Sequence, residues 1–155
     1  MPRSLALLLS LFILATPAWA DPVAPEQAFP VTVRALQSDT LEVTFDLRRG
    51  YYLYDSSLGF ATASEGITLG TAEIPPGTPY EDEFFGQTSI HRGKLNILLP
   101  VEAPSGATQI ELQIKSQGCW DGGICYPPDS RKLTVSLDPE QRGGGFLDRL
   151  LKPGR

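Results

Sequence analysis

Apolar and polar residues alternate with a period of two along much of this chain, which is the pattern of half-buried β-strands. The clearest example places Leu41, Val43, Phe45 and Leu47 on one face, with charged and hydroxyl residues between them. Similar alternation, or a short apolar run next to glycine or proline, predicts further strands over residues 29–36, 51–54, 67–74, 94–101, 109–114 and 132–137. The proline-rich residues 75–79 predict a rigid loop.

These predicted strands are short and are separated by turn residues at regular intervals. That spacing favours an all-β fold, specifically an immunoglobulin-like β-sandwich. The pattern alone does not distinguish the sandwich from a β-barrel. A chain of this length suits one domain, whose core is large enough to fold without a disulfide.

Three parts of the chain differ in composition. Residues 1–20 combine Arg3, an apolar stretch and a small-residue cleavage motif, which predicts a cleavable signal peptide and export to an oxidising compartment. A retained N-terminal anchor is the alternative. Residues 21–140 form the predicted domain. Residues 141–155 predict a flexible glycine-rich tail, in which 146–152 has helical spacing and forms either a short docking helix or a frayed terminus.

The charge balance is acidic, with 18 aspartates and glutamates against 13 lysines and arginines and a formal net charge of −5. Such a surface gives no support to binding of nucleic acid or anionic lipid, because both attract basic proteins. We therefore expect no nucleic-acid partner.

The only two cysteines, Cys119 and Cys125, flank the turn-forming residues Asp121, Gly122 and Gly123. The segments before and after this stretch alternate, so the whole region predicts a β-hairpin joined through a glycine-rich turn. Cysteines at the two ends of such a turn can face each other at the distance that a disulfide requires.

Three interpretations of this cysteine pair compete. An inert disulfide is common in exported proteins, although so short a loop stabilises the fold by only about 2 to 2.5 kcal/mol in the chain-entropy model. A metal site is poorly supported, because two thiolates need further ligands and His91, which we expect at the surface, is the only histidine. The third interpretation is dithiol exchange with other proteins, which needs no cofactor.

Three motifs follow one another along the domain: Gly-Tyr-Tyr-Leu-Tyr at 50–54, Tyr-Glu-Asp-Glu-Phe-Phe-Gly at 80–86, and Gln-Gly-Cys-Trp-Asp-Gly-Gly-Ile-Cys-Tyr-Pro-Pro at 117–128. In this order and spacing the chain resembles the family of N-terminal periplasmic domains of the thiol:disulfide interchange protein DsbD. The resemblance covers nearly all of the proposed domain. Trp120, between the cysteines, departs from the family pattern.

The resemblance implies an immunoglobulin-like redox domain that carries reducing equivalents across the periplasm, acting as a protein-disulfide reductase. It implies that Cys125 forms the mixed disulfide with a partner and that Cys119 resolves it. It also assigns a cap loop and a thiol environment, with Phe84 lying over the disulfide and the acidic residues disfavouring the thiolate. The residues concerned are Asp82, Glu83, Phe84, Phe85, Tyr52 and Tyr54.

The partners follow from the same resemblance. Thioredoxin-like periplasmic proteins and a membrane electron-transfer protein of the DsbD/CcdA type are expected as donors. An oxidised disulfide isomerase, or another periplasmic thiol protein, is the expected acceptor. Full-length family proteins continue into a membrane-embedded and a thioredoxin-like domain, so we expect a stand-alone, monomeric exchange domain. The alternative is a non-enzymatic binding module or chaperone of the same fold with a permanent disulfide.

Overall fold

A computed structural model describes residues 22–137, and nearly all of their regular structure is β-strand. A short helix, α1 (Pro25–Ala28), comes first, and one 3-10 turn (Asp55–Ser57) follows the third strand. The strands, in chain order, are β1 Val31–Gln37, β2 Thr40–Asp46, β3 Tyr51–Tyr54, β4 Gly59–Thr62, β5 Thr68–Leu69, β6 Thr78–Asp82, β7 Gly86–His91, β8 Lys94–Glu102, β9 Gln109–Ser116, β10 Gly118–Trp120, β11 Ile124–Cys125 and β12 Asp129–Ser136.

The strands form three antiparallel sheets, in the orders β1-β2-β8-β5, β11-β10-β3-β7-β6 and β12-β9-β4. Apolar side chains of the first and third sheets, among them Val43, Ile97 and Leu112, meet in one core between the layers. The prediction of an all-β, immunoglobulin-like sandwich is confirmed. Each sheet in residues 22–137 is open and has two end strands, so the barrel alternative is wrong.

Alternating strands are found where the sequence pattern is strict. In β2 the side chains of Leu41, Val43 and Phe45 are buried and the residues between them are not. The apolar run at 94–101 is a strand as predicted, but it too alternates between buried and exposed positions and continues past Pro100. It is therefore half-buried, with its inner face on the core.

The segment 67–74 is only partly a strand, contrary to the prediction. Pairing with β8 is limited to β5 and to an isolated bridge between Glu73 and Leu98. The apolar positions change phase after Gly70, whose backbone lies so close to Pro100 that a Cβ would come within 2.8 Å of the proline Cβ. A strand cannot keep one face inward across such a phase change.

Three strands were not predicted from the sequence: β4 and the hairpin formed by β6 and β7. The β6–β7 hairpin runs from Thr78↔Ile90 to Asp82↔Gly86. Most of its residues are polar or exposed, so no period-two signal marks it.

The predicted cysteine hairpin is confirmed, and it is divided between two sheets. The outer strands β9 and β12 pair from Gln109↔Ser136 to Ser116↔Asp129 in the third sheet. The inner strands β10 and β11 pair with each other and with β3 in the second sheet. Gly118 permits this change of sheet, because a Cβ there would overlap the carbonyl oxygen of Tyr52.

The predicted signal peptide (1–20) and tail (141–155) lie outside the residues that the structure describes. Between residues 22 and 137, none of the helical segments has the length and hydropathy that a bilayer crossing requires.

Candidate functional site

The two cysteines form a disulfide at one end of the second sheet. Cys119 on β10 and Cys125 on β11 are register partners, with their Cα atoms 4.0 Å apart. On its other side Cys119 pairs with Tyr52 of β3. Cys119 is 1% exposed, whereas Cys125 is half-buried. A thiolate from outside can therefore approach the sulfur of Cys125 but not that of Cys119.

Each of the three predicted residues of the turn between the cysteines has a structural role. Gly123 has a φ of +88°, which glycine adopts without steric cost. The ring of Trp120 folds back over Gly122, where an added Cβ would overlap it. The backbone N–H of Asp121 donates to the Gly50 carbonyl at 2.8 Å and ties the turn to the loop before β3. The turn is therefore held in place from both sides.

The base of the hairpin is anchored by aromatic residues. The backbone N–H of Tyr126 donates to the Gly118 carbonyl, and its hydroxyl donates to the Val23 carbonyl at 2.6 Å. Its ring packs edge-on against Phe29. Burial, followed by the neighbouring Tyr51 hydroxyl, raises the pKa of Tyr126. These contacts fix the chain immediately after Cys125.

A buried hydrogen-bond network connects the disulfide with Asp82. The Tyr54 oxygen lies 3.0 Å from the Cys119 sulfur and 3.6 Å from the Cys125 sulfur. The hydroxyls of Tyr54 and Tyr52 both donate to Oδ2 of Asp82, at 2.8 and 3.1 Å. Oδ1 of the same carboxylate accepts the backbone N–H groups of Phe84 and Phe85, at 2.7 and 3.0 Å.

The protonation state of this network follows from its partners. Burial of Asp82 acts to raise its pKa, but hydrogen bonds from Tyr54, the Phe84 and Phe85 amides and Tyr52 outweigh burial and hold the pKa below its usual value. The carboxylate is therefore ionised at neutral pH and can only accept. Burial, followed by the hydrogen bond to Asp82, raises the pKa of Tyr54 to about 12. Burial, followed by Tyr54 and Asp82, also raises the pKa of Tyr52.

One consequence concerns the sulfur of Cys119. A tyrosine hydroxyl has one hydrogen, and that of Tyr54 is donated to Asp82. The Tyr54 oxygen therefore presents a lone pair to Cys119, and it can accept a hydrogen from a thiol there but cannot donate one to a thiolate.

The residues assigned to a cap loop lie at the turn of the β6–β7 hairpin. The Phe85 ring packs against Tyr54, with centroids 4.7 Å apart. Phe84 lines a small cleft together with Glu83, Trp120 and Cys125. Phe84 and Phe85 are 59% and 55% exposed, although both are large and apolar. The turn thus brings two exposed aromatic rings to the rim of the disulfide.

His91 is not at the surface, and that prediction is wrong. Its side chain is buried, and its Nε2 lies 2.7 Å from Oδ1 of Asp55. His91 pairs with Leu53 of β3, directly behind the aromatic residues of the site. The partner carboxylate lies 36 positions away in the sequence, so no local pattern indicated the contact.

Arg92 is a residue of the site that the sequence did not indicate. Its guanidinium forms two parallel hydrogen bonds to the Asp121 carboxylate, at 2.8 and 3.0 Å. It also lies over the Tyr52 ring, 4.8 Å from the centroid. Arg92 therefore joins the turn between the cysteines to the aromatic floor of the site. Within residues 22–137, no three His, Cys, Asp or Glu side chains are grouped as metal ligands would be.

We predict that Asp82→Asn destabilises the protein by about 1 to 3 kcal/mol at neutral pH, because the amide cannot accept four hydrogen bonds. A carboxyl whose pKa is lower in the folded state stabilises the fold above its unfolded pKa and loses that contribution as the pH falls through the folded pKa. The difference between wild type and variant should therefore shrink below about pH 4, as measured by urea unfolding with the disulfide intact.

Asp46→Asn is the matched control, because it removes an exposed carboxylate from β2 and should change stability by less than about 0.5 kcal/mol. An Asp82→Asn protein as stable as the wild type at neutral pH would contradict the proposed importance of the network.

The chain is similar to curated proteins of the DsbD family. The family described as "Thiol:disulfide interchange protein DsbD, N-terminal" matches residues 20–137. The chain is 41% identical over 101 residues to a DsbD of Pectobacterium atrosepticum, covering 64% of this chain and 17% of that protein. It is 36% identical over 132 residues to a DsbD of Ralstonia nicotianae, covering 83% of this chain and 21% of that protein. The chain thus spans about a fifth of the length of these curated relatives.

Solved structures give the same relationship. The reduced N-terminal domain of DsbD from Neisseria meningitidis has a TM-score of 0.64 and 30% identity, over 74% of this chain and 89% of that one. A chain from the complex between the DsbD and PilB N-terminal domains of the same organism has a TM-score of 0.62 and 29% identity, over 74% of this chain and 88% of that one. Because the family match extends over most of the sequence and over all three motifs, this chain belongs to the family of DsbD N-terminal domains.

Proposed function

We propose that this chain is a dithiol/disulfide exchange domain that passes reducing equivalents between thiol proteins through Cys119 and Cys125. The observation that carries the proposal is the asymmetry of the disulfide. Cys125 is half-buried at the rim, and Cys119 is buried beneath it with its sulfur against Tyr54. Membership of the DsbD N-terminal family supports the same chemistry.

Exchange would begin when a partner thiolate attacks the Cys125 sulfur. A bond forms between the two sulfurs, the Cys119–Cys125 bond breaks, and the Cys119 sulfur leaves with the electron pair and takes up a proton. A second partner thiol then resolves the mixed disulfide. The partner dithiol ends as a disulfide, and the Cys119/Cys125 pair ends as two thiols. Transfer to an acceptor runs through the same steps in reverse.

The Tyr54–Asp82 network supports a specific role for Cys119 in these steps. Once Cys119 has left as a thiol, its S–H can donate to the Tyr54 oxygen, whose own hydrogen is held by Asp82. The negative charge of Asp82 also disfavours a second negative charge nearby. The reduced form is therefore kept protonated until an acceptor disulfide engages Cys125.

The two exposed rings of the β6–β7 turn act as the cap in this proposal. Phe84 lines the cleft that reaches Cys125, and Phe85 covers Tyr54. Their rings limit access of small thiols, and a docking protein displaces them. The turn carries both rings, and the two amide hydrogen bonds to Asp82 join it to the tyrosines beneath it.

The proposal extends to location and partners. We assign the signal peptide to residues 1–20, the exchange domain to 21–140 and a glycine-rich tail to 141–155, with the domain working in the periplasm. The complex of the Neisseria meningitidis domain with the PilB N-terminal domain supports a thioredoxin-like partner. We propose a membrane protein of the DsbD/CcdA type as electron donor and an oxidised disulfide isomerase as electron acceptor. The exchange needs no cofactor.

The reduction potential of the Cys119–Cys125 pair tests the function directly. We expect a value between about −270 and −120 mV, the range of proteins that exchange disulfides. Glutathione titration with thiol trapping gives the measurement. A potential below about −300 mV would identify a permanent structural disulfide and favour a binding module of the same fold.

Single-cysteine variants test the asymmetry of the pair. The free Cys125 of Cys119→Ala should react with Ellman's reagent at least about tenfold faster than the free Cys119 of Cys125→Ala, because Cys119 is buried and hydrogen-bonded. Cooperative urea unfolding should show that both variants are folded. Equal rates in two folded variants would contradict the assignment of Cys125 as the attacked sulfur.

Removing the cap rings should expose the disulfide to small reductants. We predict that Phe84→Ala and Phe85→Ala each raise the rate of reduction by dithiothreitol by roughly three- to tenfold, since access limits the exchange. Ile124→Ala is the control, because Ile124 is also exposed and apolar but lies outside the cap. Unchanged rates in both phenylalanine variants would argue against a shielding role.

A further inference from the structure

Charges of opposite sign lie on two sides of the disulfide. On one side the acidic Glu81 and Glu83 line the cleft that reaches Cys125. On the other side a second cleft is lined by Arg48, Arg49 and Arg92 and borders the turn between the cysteines. We call this second cleft the arginine cleft. Three arginines around one cleft contrast with the formal net charge of the protein, which is −5.

Two turns build the arginine cleft. Arg48 and Arg49 lie in the turn between β2 and β3, which closes through the hydrogen bond from the Tyr51 amide to the Arg48 carbonyl. The turn after Arg92 is joined to the same region by a hydrogen bond from the Leu47 amide to the Gly93 carbonyl at 2.8 Å. The space between the turns is open and measures about 460 Å³, which is enough to admit acidic side chains.

The arginines of the cleft differ in their pairing. Arg92 is engaged by Asp121 and Tyr52, as described above. Arg48 and Arg49 are exposed, and in the part of the chain that the structure describes neither guanidinium has a carboxylate within ion-pair distance. Within residues 22–137, two cations beside the turn between the cysteines thus have no carboxylate partner. They remain available to a carboxylate from another molecule.

The arginines lie beside the turn between the cysteines. Gly50 and Asp121 both line the arginine cleft, and the Asp121 amide is bonded to the Gly50 carbonyl. The cleft therefore directly borders the turn that joins Cys119 to Cys125. A carboxylate a few residues from the cysteine of a molecule attached at Cys125 can therefore reach the arginines.

We propose that the arginine cleft binds an acidic segment of the partner protein, located to one side of the partner's attacking cysteine. The guanidiniums of Arg48 and Arg49 pair with its carboxylates, while Glu81 and Glu83 repel an acidic group on the opposite side. The two charged regions thereby set the orientation in which a partner docks over the exposed rings and Cys125. This inference rests on the exchange function proposed above.

Thiol peptides provide the test without requiring a known partner. Three peptides of otherwise identical sequence each contain a single cysteine. At three and four residues from that cysteine, the first carries two glutamates, the second two serines and the third two lysines. Each peptide is reacted with the oxidised protein, and the rate of mixed-disulfide formation is measured. This rate is divided by the rate at which the same peptide reacts with a small-molecule disulfide, which corrects for differences in thiol pKa. The glutamate peptide should react about three- to tenfold faster than the serine peptide at low salt, and the lysine peptide more slowly.

The arginines are tested by a matched pair of double variants. Arg48→Ser with Arg49→Ser should abolish the advantage of the glutamate peptide, as should about 0.5 M salt. Arg34→Ser with Lys132→Ser removes the same charge at exposed positions in the first and third sheets and should preserve the advantage. Equal rates for the three peptides with wild type, or an advantage that survives in the Arg48/Arg49 variant, would overturn the inference. If no peptide forms a mixed disulfide, the exchange function itself fails.

Discussion

The site depends on one buried carboxylate. Asp82 accepts hydrogen bonds from Tyr52 and Tyr54 on one oxygen and from the amides of Phe84 and Phe85 on the other. The first pair orients the hydroxyl that contacts the disulfide, and the second pair shapes the turn that presents the aromatic rings. A buried charge must be fully hydrogen-bonded, so the cap and the tyrosines cannot be arranged independently of each other. The same group therefore connects the turn that carries the exposed rings with the tyrosine hydroxyl beside the Cys119 sulfur.

The sandwich builds the site from segments that are far apart in the sequence and that share no motif. The second sheet places the cysteine hairpin, the tyrosines of β3 and the β6–β7 hairpin side by side in the order β11-β10-β3-β7-β6. The larger core lies between the other two sheets, and Cys119 belongs instead to a small separate cluster with Tyr52, Tyr54 and Ile90. The disulfide is therefore packed apart from the contacts that form the main core.

The sequence predicted the parts of this structure that follow from local patterns. Strict alternation identified β2 and β9, and the glycine-rich turn with its two cysteines identified the hairpin. The β6–β7 hairpin has no such alternation, and the region 67–74 loses its phase at Gly70. The contacts of Asp82, His91 and Arg92 join side chains 28 to 36 positions apart in the sequence. Pairing of that kind is set by the register of the sheets, which the pattern of one strand does not reveal.

The position of Arg92 links the two charged sides of the disulfide. Its guanidinium is shared between the Asp121 carboxylate and the face of the Tyr52 ring, and Tyr52 in turn donates to Asp82. Both Arg92 and Asp121 are nearly half exposed, so their ion pair contributes little to stability by itself. The pair instead positions the turn, because Arg92 holds the Asp121 side chain while its guanidinium lies over Tyr52. The backbone N–H of Asp121 is bonded to the Gly50 carbonyl as well, so side-chain and backbone contacts together fix the turn between the cysteines relative to β3.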